Sequence, residues 1–91
     1  MASSNTETAI LERLIAPERD DLAAEAARYL LAIDFGQTDR ERMNELAATA
    51  RERALTSDEA AEVDNYRHVS HLLALLQSKA RKSLKRAGLP V

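Results

Sequence analysis

The run TSDEAAEVDNYRHVSHLLALLQSKARKSLKR, residues 56–86, contains neither glycine nor proline, and Gly88 and Pro90 follow it closely. Placed at ~100° per residue, Tyr66, Val69, Leu73, Leu76, Ala80 and Leu84 fall into one apolar stripe. Thr56-Ser57-Asp58-Glu59 has the spacing of a capping box, in which the threonine and glutamate satisfy each other's backbone N–H groups. Leu55 and Ala60 hold the two hydrophobic-staple positions, although alanine makes a weak staple. The spacing predicts a helix from Ser57 to about Ala87, stopped by the glycine and proline beyond it.

Upstream the same period recurs. Thr38-Asp39-Arg40-Glu41 has a second capping-box spacing, and Met43, Leu46, Ala47, Ala50 and Ala54 continue one helical face. Before it, Leu22, Ala26, Tyr29, Leu30 and Ile33 predict a helix from about Pro17 to Ile33, with Gly36 as its left-handed terminator. Pro17 suits a first helical position, and Glu18, Asp20 and Asp21 would complement the dipole there. Thr6–Ile15 carries a short apolar face of Ile10, Leu11, Leu14 and Ile15. No strand-like alternation is present. The expected fold class is all-α, a small bundle of three to four helices with a long C-terminal helix. Residues 1–5 read as a disordered N-terminus, 6–88 as a single helical domain and 89–91 as a C-terminal tail.

Length and composition agree with one small domain. The chain has 91 residues, of which Phe35, Tyr29 and Tyr66 are the aromatics, and alanine swells the apolar total. Alanine buries little area, so the core is expected to be light, and an oligomer or bound partner would add stability. There is no cysteine, so neither a disulfide framework nor a cysteine-based zinc site is expected. The opening residues lack a basic, apolar leader, and no apolar stretch approaches the roughly 20 residues a membrane-spanning helix needs. The expected location is cytoplasmic, with no membrane association.

The net charge of −2 conceals a polarity. All 15 acidic residues lie between Glu7 and Asp64, with seven basic residues among them, a net of −8 for residues 1–64. From Asn65 onward there are six basic residues and no acidic one. Lys79, Arg81, Lys82, Lys85 and Arg86 fall roughly opposite the apolar stripe. Such a face is either a solvated helix end, favoured by the dipole, or a contact for phosphates or an acidic partner. Against nucleic acid stand the acidic balance of the whole chain and the lack of a recognition motif or interleaved aromatics.

Leu72 and Leu75 lie off the apolar stripe, flanked by His68 and His71. Either other helices wrap around this segment, or these four residues centre a partner-binding or homodimer surface. Asp64, His68 and His71 share one face at spacings of four and three, which makes them a weak metal candidate with no fourth ligand in view. There is no glycine-rich phosphate loop and no nucleophile set with a plausible elbow. Helix capping and solvation account for the carboxylates. The expectation is therefore a non-enzymatic protein, with no catalytic residue, no cofactor and no metal.

Residues 55–66 and 68–81, LTSDEAAEVDNY and HVSHLLALLQSKAR, resemble an uncharacterised family of short helical bacterial proteins of planctomycete and cyanobacterial type. The family pattern reads LTPEEQAELDNYxRVGHLLALLQSKARRALK. The segments 12–15, 25–31 and 39–47 are similar to it as well, so the resemblance covers roughly residues 8–88. Members are similar to proteins encoded beside HNH-type nucleases. The resemblance therefore implies an antitoxin-like or accessory role toward a nuclease and gives no residue a catalytic task. Where the pattern carries glycine before its histidine, this chain has Ser70, which favours an unbroken helix. Together these readings point to a protein–protein interaction module, with a nucleic-acid-associated protein using the basic helix end as the alternative.

Overall fold

The computed structural model describes residues 5–91, so of the N-terminus expected to be disordered, residues 1–5, the first four lie outside the described residues, while the Asn5 side chain accepts a hydrogen bond from Arg13. The fold is all-α: α1 (Glu7–Ile15), α2 (Ala24–Ala32), α3 (Gln37–Glu52) and α4 (Ser57–Arg86), with no strand among the described residues. No helix among them is long and apolar enough to cross a membrane. The range expected as one domain forms two compact units. One joins the residues up to Ile33 with His71–Val91, and the other is Asp34–Ser70. The long helix contributes its first half to the second unit and its last half to the first. It runs unbroken through Ser70.

In the first unit, Ala27 of α2 and Ala80 of α4 are wholly buried, and Leu84 is 1% exposed. Two alanines at the contact let the helix backbones approach closely, and Leu22, Leu30, Leu31 and Leu89 pack around them. The end of α4 is a Schellman motif. Gly88 sits at φ +74°, its N–H donates to the Lys85 carbonyl at 3.0 Å, and the Leu89 N–H donates to the Leu84 carbonyl at 2.9 Å. Leu89, expected in the tail, is thereby drawn onto the core.

The start of α2 corrects the sequence expectation. Pro17 does not open a helix; a turn at residues 17–18 and an irregular stretch precede Ala24. Local signals for a helix are overridden by partners on α4. The Leu22 N–H donates to the Ser83 hydroxyl at 3.1 Å, the Lys82 ammonium donates to the Pro17 carbonyl at 3.3 Å, and Asp21 pairs with Lys79 at 3.1 Å. Asp20 and Asp21 thus meet side-chain cations rather than a helix dipole. Ala16 closes α1 at φ +48°, its N–H donating to the Glu12 carbonyl.

Gly36 is likewise not the terminator of α2. It has φ −73° and is the N-cap of α3, which places Thr38 inside that helix and removes the expected capping box. The Gln37 amide donates to the Glu41 carboxylate instead, at 2.9 Å. The end of α2 needs no left-handed residue, because the Gln77 amide donates to the Leu30 and Ile33 carbonyls at 3.2 and 2.9 Å.

In the second unit Leu46 of α3 is buried, and Phe35 meets Tyr66 edge-on with centroids 6.0 Å apart. The Tyr66 hydroxyl donates to Asp39 at 2.8 Å, and that carboxylate raises the phenol's pKa above its ordinary value. Arg42 grips Glu62 through two nitrogens, at 2.6 and 2.8 Å. The capping box at Thr56 forms as expected: the Glu59 N–H donates to the Thr56 hydroxyl at 3.1 Å, and the Thr56 N–H donates to the Glu59 carboxylate at 2.9 Å. Arg53 adds two bonds to Glu59 at 2.9 Å each.

Arg53 and the cap hold the Glu59 carboxyl down at about 2, against an ordinary 4.5. A depressed folded-state pKa adds stability above the ordinary value, and that stability is lost as the pH falls from about 4.5 toward 2. Glu59→Gln is therefore expected to flatten the acid limb of a stability–pH curve in this window. An unchanged limb would show that the cap charge contributes nothing.

Candidate protein-binding surfaces

The five cations expected on one face of α4 divide into two groups. Lys79 is a correction: it is 9% exposed, not part of the basic surface. Its stem lies along the helix interface, and its ammonium donates to the Ile15 carbonyl at 2.6 Å and pairs with Asp21. The bond from Lys79 holds the Asp21 carboxyl below its ordinary pKa. Arg86 meets Asp20 at 3.5 Å. The acidic segment before α2 thus neutralises the inner cation and forms an exposed pair with the last one.

Arg81, Lys82 and Lys85 are exposed, and no carboxylate among the described residues pairs with them. With Ser78 and Val91 they border a shallow depression of about 390 Å³. Val91 is 61% exposed, so the depression offers an apolar edge beside three uncompensated charges.

Leu72 and Leu75 are half-buried, as are Leu73 and Leu76, so the leucine segment is covered on much of its circumference. His68 and His71 are exposed. His71 Nε2 lies 2.8 Å from a carboxylate oxygen of Glu12, which ties α1 to α4. Asp64 bonds Arg67 at 3.1 Å. Among the described residues no group of three or more histidine, cysteine, aspartate or glutamate side chains is placed to hold a metal, so Asp64, His68 and His71 do not assemble a site.

Two features escape a sequence reading. The first is a groove of about 330 Å³ in the second unit. Met43, Ala47 and Ala50 of α3 form one wall, Val63 of α4 the other, with the buried Leu46 beneath. Alanines at 47 and 50 look like weak core positions in sequence, yet both are exposed on the groove wall. Arg67 stands at its edge, with its side chain 71% exposed.

The second is the outward apolar face of α1. No residue of this helix is fully buried, and Leu14 is 76% exposed. The periodicity of Ile10, Leu11 and Leu14 marks the face but not its direction. Thr8, Ala9, Glu12 and Ile15 are the half-buried side instead. The chain matches no known family model, no curated protein and no solved structure.

Proposed function

We propose that this protein is a non-enzymatic helical interaction module that binds an acidic protein surface through the end of α4. The observation that carries the reading is the sorting of cations: Lys79 is buried and neutralised within the chain, while Arg81, Lys82 and Lys85 are left exposed around one depression. Exposed charges of one sign raise association rates and select partners of opposite potential. Val91 supplies apolar area at the same place, and the outer faces of Leu72 and Leu75, with His71, extend the surface along α4. The resemblance to bacterial proteins encoded beside HNH-type nucleases supports a finer reading, an antitoxin-like or accessory subunit of a nuclease in the cytoplasm.

The same three cations suit phosphates, which makes nucleic-acid association the second reading. Affinity purification of the tagged chain, with and without added nuclease and at two salt concentrations, separates the two. A protein in stoichiometric amount that survives nuclease treatment is expected, and Arg81→Glu/Lys82→Glu/Lys85→Glu is expected to lose it while remaining helical by circular dichroism. Recovery of nucleic acid alone, with a log–log salt slope of about −2.7 for three phosphate contacts, would establish the second reading instead. A partner retained by the triple variant would remove this surface from the binding site.

A further inference from the structure

We infer that the groove of the second unit receives α1 from a second copy of this chain. The inference is independent of the basic end of α4, which takes no part in it.

The α1 face has the spacing by which an amphipathic helix fills a groove. Glu7, Ile10, Leu11 and Leu14 stand at positions i, i+3, i+4 and i+7. The three aliphatic side chains are 38%, 41% and 76% exposed, so their own unit leaves them uncovered. Exposed aliphatic residues scattered singly need no explanation, whereas three along one face of a nine-residue helix form a patch. The groove supplies what that patch lacks. Met43, Leu46 and Val63 give an apolar lining, and Ala47 and Ala50 give a wall without bulk, which allows a helix to lie close.

Charge identifies the occupant. Glu7 lies on the same face as the three aliphatic residues, one turn ahead of Ile10 and Leu11, and forms no ion pair among the described residues. Arg67, at the groove edge, is bound only to Asp64, an exposed pair three residues away of the kind that contributes little. An arriving helix with an acidic residue ahead of its apolar anchors complements a groove with one arginine at its edge. The α1 helix of this chain carries that pattern. Each copy presents one such helix and one groove, so the contact either closes reciprocally into a dimer or propagates head to tail.

Sedimentation of the full chain up to about 1 mM tests this. The wild type is expected to self-associate. Leu14→Glu, at a position already facing solvent, and Ala50→Glu, on the groove wall, are each expected to weaken association by about thirtyfold or more. An equimolar mixture of the two is expected to associate more strongly than either alone, because it pairs an intact groove with an intact α1. Arg67→Glu is expected to weaken association, and adding Glu7→Arg to it is expected to restore much of the loss. Circular dichroism confirms that each variant remains folded, and the exposed Arg67 and Glu7 pair keeps the test decisive if Ala50→Glu does not. A wild type that stays monomeric throughout, or association undiminished by Leu14→Glu and Arg67→Glu, would overturn the inference.

Discussion

Leu84→Ala is expected to cost about 2–5 kcal/mol, toward the upper end of that range. Leu84 is the largest fully buried side chain among the described residues, and its buried neighbours are Ala27 and Ala80. Alanine has no rotatable side chain, so these neighbours cannot turn inward to close the cavity. The residue also occupies the third position from the end of α4, where its carbonyl accepts from Leu89 and its side chain packs with the cluster that Leu89 joins. Losing the side chain therefore loosens the helix end as well as the core. A domain of this length has about 5–14 kcal/mol in total, so this single truncation removes a large share. Denaturant unfolding at low protein concentration measures it, with Leu14→Ala as the exposed control, expected to change stability by no more than about 0.5 kcal/mol. Equal effects at the two positions would mean that the cluster around Ala27 is not the core.

Lys79→Ala is expected to lower Tm by roughly 5–10 °C. The substitution removes one of the two cations that pair with Asp21, leaving Arg19, and leaves the Ile15 carbonyl without its donor. Lys79→Met keeps the stem against the helix interface and loses only the ammonium, so its effect should be smaller. Acid titration supplies a second reading of the same contact. Asp21 is held below its ordinary value of 3.8, so its contribution is present above that pH and disappears as the pH falls through the folded-state value. The wild type should therefore lose more stability below pH 3.8 than Lys79→Met does. Identical acid limbs in the two proteins would show that Lys79 and Asp21 do not interact in solution.

Much of the fold is legible in the sequence where the signals are local. The reciprocal cap of Thr56 and Glu59 spans four residues, and the unbroken run after it leaves no alternative to a long helix. The stop at Gly88 is equally local. Misreadings arise where a distant side chain takes over a local task. Pro17, Asp20 and Asp21 look like a helix start, but Lys79, Lys82, Ser83 and Arg86, from the far end of the chain, bind that segment in a non-helical form. Gly36 looks like a helix terminator, but Gln77 already serves the last carbonyls of α2.

The candidate surfaces divide in the same way. That α4 ends in cations is plain in the sequence. Which of them remain free depends on where Asp20 and Asp21 lie, and periodicity carries no such information. A helical wheel gives α1 an apolar face but not the side on which α4 meets it. The groove along Ala47 and Ala50 is invisible in sequence for a related reason: a small residue on a groove wall and a small residue in a tight core have the same letter.

Residues Ser57–Arg86 form one uninterrupted ladder of backbone hydrogen bonds. Starting a helix is the unfavourable step, and extending one adds a bond for each residue fixed. The reciprocal cap at Thr56 closes the start of a helix that reaches past the boundary at Ser70 and His71, so each residue added on either side of that boundary extends a helix already begun. Neither unit forms its share of α4 as a private event. One ladder of hydrogen bonds therefore serves two small cores.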